Sequence, residues 1–159
     1  MTAATSILPG NGKATTIKKI FSRETLVSIE IASDPSIIWM LLTKASGYPA
    51  WNSTVISING KIAAGEKIKL KSTLDPKRIF SLMVKEFIPD HKLVWGDAMG
   101  NRVFLLTQNA NRTVLFSMTE KIGGPLFPLF AKMIPSFDKS FERFAADLKK
   151  ESEIIMNIR

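Results

Sequence analysis

Between Glu24 and Ile31, apolar Val27, Ile29 and Ile31 alternate with polar Ser28 and Glu30. That is the period-two pattern of a strand with one buried face. Ser33-Asp34-Pro35 then sets a capping residue ahead of a proline, which suits the first turn of a helix. Ile38, Leu41 and Leu42 continue that helix at helical spacing to Thr43, and Gly47 and Pro49 end it. Six further strands are predicted: Val55–Ile62, Lys67–Ser72, Ile79–Ile88, Lys92–Ala98, Arg102–Gln108 and Thr113–Ile122. Glycines 60 and 65, Pro89-Asp90-His91, Gly100-Asn101 and Asn109–Arg112 provide the turns between them. Strands so closely spaced form an antiparallel meander.

Gly123-Gly124-Pro125 closes the meander, and the remainder reads as helical. Phe127, Phe130, Ile134, Phe137, Phe141, Phe144 and Leu148 recur at spacings of 3, 4, 3, 4, 3 and 4, an apolar stripe along one helix face. Pro135 has no N–H to donate and is expected to kink the helix or restart it nearby. The pattern predicts an α+β fold in which a curved seven-stranded antiparallel sheet wraps around a long C-terminal helix, with short helices after the first strand. An apolar cavity is expected between sheet and helix. Residues 1–23, without sustained apolar period in their first part, are expected to form a flexible basic arm. Residues 24–153 are expected to form one domain, and residues 154–159 a tail.

Several of these segments together resemble the START-like, helix-grip superfamily, also known as SRPBCC or polyketide cyclase/dehydrase and lipid transport proteins. Ile38-Trp39-Met40-Leu41-Leu42-Thr43 with Tyr48-Pro49-Ala50-Trp51-Asn52 is similar to its first helical region. Gly60 and Gly65 resemble its paired glycines, and Val84, Pro89, Leu93 and Trp95 its mid-sheet pattern. Phe141, Phe144, Asp147-Leu148-Lys149-Lys150 and Glu151 resemble its closing helix. The resemblance implies the binding or transport of a hydrophobic or amphipathic small molecule (a lipid, sterol-like, quinone-like or aromatic compound), or a cyclase/aromatase-type reaction in the same cavity. A fold of this kind does not choose between them.

Composition narrows the chemistry. The chain of 159 residues has no cysteine and a single histidine, His91. Disulfides and Cys-ligated zinc are excluded, and a histidine-rich metal site or a Ser-His-Asp triad is disfavoured. No metal, cofactor or catalytic residue is assigned. Residues 1–16 lack the compact apolar core of a signal peptide. The longest uncharged stretch, Ala45–Gly60, is too polar for a membrane span. The expected location is the cytoplasm, with the protein a monomer or homodimer.

The formal net charge of +8 is local. Lys13, Lys18, Lys19 and Arg23 lie in the arm with no acid among them. Lys61, Lys67, Lys69, Lys71, Lys77, Arg78 and Lys85 face only Glu66 and Asp75 in their segment. Lys67, Lys69 and Lys71 alternate with Ile68 and Leu70, so they share a wet strand face. This strip is a solvated surface or a docking site for an anionic membrane or an acidic partner. Nucleic acid is disfavoured, because no aromatic residues interleave with the lysines.

The candidate ligand-binding residues are Tyr48, Trp51, Leu82, Val84, Trp95, Arg102, Phe104, Leu106, Phe127, Phe130, Ile134 and Phe137. Tyr48 and Trp51 stand in the irregular segment after the first helix and could gate an entrance. Trp39 is read as packing its helix on the sheet. Arg102 shares a strand face with Phe104 and Leu106 and either aims into the cavity or pairs with Asp97 or Glu120 at the strand end. Inside, its guanidinium would hold a carboxylate or polarised carbonyl. Asp97 and Glu120 are a second possibility as paired carboxylates. His91 reads as an exposed turn residue, and Gly123-Gly124 as a hinge into the last helix.

Overall fold

A computed structural model describes residues 10–158 of the chain. Eight strands form one antiparallel sheet: β1 (Thr15–Lys18), β2 (Ser22–Ile31), β3 (Val55–Asn59), β4 (Lys67–Ser72), β5 (Asp75–Ile88), β6 (Lys92–Gly96), β7 (Gly100–Gln108) and β8 (Val114–Gly123). Their order across the sheet is β1-β2-β8-β7-β6-β5-β4-β3. Helices α1 (Pro35–Thr43) and α2 (Tyr48–Trp51), joined by a 3-10 turn at Ala45–Gly47, fill the crossover from β2 to β3. The short helix α3 (Phe127–Phe130), a 3-10 turn (Ala131–Met133) and the long helix α4 (Asp138–Ile158) complete the chain.

The local rules explain most of these limits. Pro35 occupies the first turn of α1, where its missing N–H leaves no bond unmade. β2 buries Arg23, Thr25, Val27 and Ile31 on one side, and its other residues are more accessible except Ser28, which is buried as well. Gly60, at a φ of +108°, ends β3 at a point where a Cβ would approach the Lys67 carbonyl oxygen to 2.7 Å. Pro135 ends the short helices as expected. Ile134 before it is extended (φ −92°, ψ 120°), the conformation a following proline ring enforces, and helix resumes only at Asp138.

Three expectations are corrected. The sheet has eight strands rather than seven, because Thr15–Lys18, assigned to the arm, pair with Arg23–Leu26 as an edge strand. A hydrogen bond between the Thr16 and Thr25 hydroxyls (3.0 Å) fastens this pairing. Upstream, Gly12 N–H donates to the Ser28 carbonyl, so the arm is attached to the sheet from residue 10 onwards. Its first nine residues lie outside the described part of the chain. Second, residues 154–158 are helical rather than a tail, and Ile155 packs against the core. Third, the stripe from Phe127 to Leu148 is not one helix face. Phe141, Phe144 and Leu148 are fully buried on α4, whereas Phe130 is exposed on a separate short helix.

Helix α4 runs along β2. At its start, Thr16 donates to the Asp138 carboxylate. Two and a half turns later, the Asp147 carboxylate accepts from the Ser53 amide and hydroxyl (2.8 and 2.7 Å). Near its middle, Lys149 Nζ donates to the Glu30 carbonyl at the far end of β2 (2.8 Å). The helix thus bridges the two ends of the bent sheet. Phe144 is the centre of that bridge, its ring 5.8–6.3 Å from those of Tyr48, Trp51, Phe104 and Phe116. Replacing Phe144 by Ala is expected to destabilise the fold by about 3–5 kcal/mol. Urea unfolding followed by circular dichroism measures it, with a comparable loss not expected for the exposed Phe130→Ala.

Candidate ligand-binding site

The inner face of the sheet settles which side Arg102 occupies. Phe104 and Leu106 are buried, whereas Leu105 is exposed, so Arg102 points inward with Phe104 and Leu106. Directly opposed residues share a face of an antiparallel sheet. Trp95 lies opposite Arg102, Arg102 opposite Glu120, Glu120 opposite Thr25 and Thr25 opposite Thr16. Asp138 of α4 accepts from Thr16 and extends this row. One polar row therefore crosses an otherwise apolar inner surface, at the end where α4 begins.

The charges in that row are engaged. Arg102 Nε lies 3.3 Å from Glu120 Oε1, and its Nη2 3.5 Å from Glu120 Oε2. Both side chains are largely buried, 14% and 19% exposed. The Arg102 guanidinium also sits 5.0 Å from the centroid of the Phe141 ring, a cation–π contact from the helix above. Of the two partners expected for Arg102, Glu120 is the one it has. Asp97 is occupied elsewhere: its Oδ1 accepts from the Met99 and Gly100 amides and shapes the β6–β7 turn. The two carboxylates therefore serve separate purposes and do not form a pair.

One residue row further out, Arg23 closes the end. Its guanidinium donates to the Ile134 and Pro135 carbonyls (3.2 and 2.9 Å) and lies 5.1 Å from the Phe137 ring centroid. Phe137 stacks on Phe141 at 6.1 Å. The chain from Ile134 to Phe137 is thereby drawn against the polar row. The role of Arg23 was not legible in the sequence, because it stands in a run assigned to the arm. Its only signal is its place two residues before Thr25 on the buried side of β2.

At the level of Phe144 the expected central cavity is filled by aromatic rings. Trp95 packs edge-on against Phe104 at 4.8 Å, and Phe104, Phe116 and Phe144 lie against one another. Tyr48 is fully buried, and its hydroxyl donates to the Leu42 carbonyl at 2.7 Å. Burial pushes the phenol well above its ordinary range, a rise only partly opposed by the nearby Arg102 charge. Tyr48, Trp95, Phe104, Leu106 and Val84 are thus core residues in this conformation, with Trp51 and Leu82 half-buried at its margin. Phe127 is buried apart from this main cluster, Phe130 is exposed, and Ile134 and Phe137 belong to the covering segment. Trp51 Nε1 is buried with no hydrogen-bond partner. Trp39 packs edge-on against Phe87 at 5.1 Å, holding α1 on the sheet. His91 is exposed in its turn, and Lys67 and Lys69 are exposed on the outer face. Two clefts lie outside this core, one of about 620 Å³ between Phe21, Lys85, Met99 and Lys121, and one of about 360 Å³ between Thr43 and Ile62.

Among solved structures, a protein from Rhodobacter sphaeroides superimposes with a TM-score of 0.66 at 16% identity, over 90% of this chain and 99% of its own. A START superfamily protein from Mycobacterium smegmatis matches with a TM-score of 0.60 at 14% identity, over 83% of this chain and 98% of its own. The chain has the START-like helix-grip fold. DynU16, from the dynemicin biosynthetic locus, carries the same fold (TM-score 0.62, 13% identity), and the match covers 86% of this chain and 49% of DynU16. No protein-family model and no curated protein matches the sequence. At these identities the likeness is one of fold. Among the described residues, no helix of this helix-grip domain is long and apolar enough to cross a membrane, and no His/Asp/Glu cluster could hold a metal ion.

The Tyr48 environment has a consequence for alkaline stability. The folded state holds the phenol proton above the unfolded value of about 10, so the folded chain binds more protons there and stability falls as pH rises. The wild type is expected to lose up to about 1.4 kcal/mol per pH unit above pH ~10 through this group. Tyr48→Phe should remove that slope while lowering stability at pH 7, because the Leu42 carbonyl loses its donor. Urea unfolding at pH values from 8 to about 11 measures both effects.

Proposed function

We propose that the protein binds an amphipathic small molecule at the Arg102 end of the space between sheet and α4, with the apolar part directed toward the aromatic core. The observation that carries this reading is the buried Arg102–Glu120 pair in a row of polar side chains. A largely buried ion pair in an apolar interior contributes little net stability, and apolar residues of similar volume would serve packing as well. Arg102 and Glu120 together present a donor fork beside an acceptor. They suit a head group that both accepts and donates, such as a hydroxyl, amide or carboxylic acid.

Access would come from movement of the Gly124–Phe137 segment. Gly124 at its start has a φ of +146°, a conformation natural only to glycine, and Pro135 interrupts the helix at its end. Arg23 holds the segment closed through two carbonyl oxygens. Apolar ligand surface entering beneath it would contribute roughly 25 cal/mol per Å² before binding costs. The START-like fold of the neighbours supports this reading. Tyr48 belongs to the core in this reading, since its hydroxyl already donates to the Leu42 carbonyl.

The reading predicts saturable uptake of a fluorescent fatty acid, and co-purifying lipid in native mass spectrometry of protein from a lipid-rich extract. Arg102→Met should weaken the fluorescent probe by about tenfold or more, with a lowered melting temperature because Glu120 is left unpaired; Arg102→Met combined with Glu120→Gln removes both charges and should lose the probe equally at a melting temperature near that of the wild type. Arg23→Ala should speed probe exchange by releasing the covering segment. Absence of saturable uptake, or uptake indifferent to Arg102→Met, would overturn the proposal.

A further inference from the structure

The register of the sheet brings three loops to one end of the molecule. Lys18 pairs with Arg23, Ser22 with Gly123, Gly100 with Ile122 and Gly96 with Asn101. The β1–β2 turn, the β6–β7 turn and the chain leaving β8 therefore emerge side by side. Two hydrogen bonds join them: Gly124 N–H to the Phe21 carbonyl (3.0 Å) and Gly123 N–H to the Met99 carbonyl (2.9 Å).

All three loops present large apolar side chains to solvent. Ile20 is 75% exposed, Leu129 73% and Met133 79%, with Phe21, Met99 and Leu126 also exposed. Single exposed apolar residues are ordinary, but several gathered on adjoining loops form a patch that marks an interaction surface. Lys18, Lys19, Lys121 and Lys132 stand in the same loops and strand ends. Among the described residues none of them is in an ion pair, since the salt bridges are Lys92–Glu86, Arg102–Glu120 and Lys149–Glu153. The cleft of about 620 Å³ opens between Phe21, Met99 and Gly124, with Lys85 and Lys121 in its wall. Lys85 Nζ is held there by Asn101 Oδ1 at 2.6 Å. The acids at this end are Asp97, whose Oδ1 is bound by two backbone amides, Glu24, which lies opposite Lys121, and, on the inner face, Glu120 and Asp138, which are engaged by Arg102 and Thr16.

We infer that this end of the molecule docks on an anionic phospholipid surface, with Ile20, Phe21, Leu126, Leu129 and Met133 entering the headgroup boundary. The surrounding lysines face the lipid phosphates and carboxylates, and the cleft between Lys85 and Lys121 takes one anionic headgroup. Apolar insertion combined with basic attraction is the two-signal arrangement that holds proteins at bilayer interfaces. The charge pattern argues for lipid over a second copy of this chain. A twofold-symmetric contact through the patch would set the same lysines against each other. Lys67, Lys69 and Lys71 lie on the outer sheet face without such a loop cluster beside them and are not part of this docking surface. It does not depend on the ligand proposed above. If both hold, docking places the Gly124–Phe137 cover against the bilayer from which an amphipathic ligand would come.

The test is vesicle flotation of the full chain with pure phosphatidylcholine, and with phosphatidylcholine containing about 30% phosphatidylserine. The expected result is binding to the anionic vesicles, reduced by raising salt from about 0.05 to 0.5 M. Leu129→Glu combined with Met133→Glu alters only strongly exposed side chains and should reduce binding about tenfold or more, with an unchanged melting temperature. Lys121→Glu with Lys132→Glu should act in the same direction, whereas Lys67, Lys69 and Lys71 changed together to Gln should bind like the wild type. No binding to anionic vesicles, or equal binding by the Leu129/Met133 variant, overturns the inference. So does sedimentation showing a dimer that this variant dissolves while vesicles are ignored. The fluorescent fatty-acid assay on the same variants separates the two proposals: vesicle binding retained by Arg102→Met, and probe uptake retained by the Leu129/Met133 variant, show two independent sites.

Discussion

Everything in this domain depends on one helix covering the inside of one bent sheet. The strands can satisfy their backbone hydrogen bonds by pairing, but their inner face has no second sheet to pack against. Helix α4 supplies the missing layer, and Phe144 makes the contact at its centre with rings contributed by α2, β7 and β8. Because the hydrophobic effect is not directional, specific anchors set where the helix lies. Asp138 to Thr16 fixes its start, Asp147 to Ser53 one flank and Lys149 to the Glu30 carbonyl the other.

This arrangement divides the interior into two regions. At the level of Phe144 the space is closed by aromatic rings, and such packing tolerates little change in volume. Toward the start of α4 the sequence of the strands changes from Phe104, Met118 and Val27 to Arg102, Glu120 and Thr25, and the interior becomes polar. The covering segment over that end is flanked by a glycine and a proline and is held by the Arg23 guanidinium together with buried Phe127 and the Phe137–Phe141 stack. The most adaptable part of the structure is therefore placed over its most polar part, at the end where the exposed apolar loops gather.

Much of the fold was legible because its signals are local. The alternation in Val27-Ser28-Ile29-Glu30-Ile31 and in Lys67–Lys71 identified strands and their wet faces, and Ser33-Asp34-Pro35 identified a helix start. Strand β1 was missed because a four-residue edge strand, mostly exposed on both sides, carries no hydrophobic period. The stripe from Phe127 to Leu148 misled for a related reason. Spacing alone cannot register that Pro135 resets the helical phase, so Phe130 and Phe144 seemed to share a face when they belong to different helices. Arg102 stands out in the sequence as a charge among apolar neighbours, yet its strand is apolar on both faces and alternation does not orient it.

By itself, the sequence determined the class of the fold, the order of most elements and the presence of one long amphipathic helix, because propensity, turn chemistry and hydrophobic period act over a few residues at a time. Only the tertiary structure decided that Arg102 faces inward and meets Glu120, that Arg23 from the supposed arm locks the Ile134–Pro135 backbone, and that the expected cavity is filled around Phe144. It also decided that Ile20, Met99 and Leu129, far apart along the chain, emerge at one end. The physical reason is the same in each case. Strand register and helix placement are set by contacts between residues many positions apart, and no local pattern encodes which of the available partners will meet.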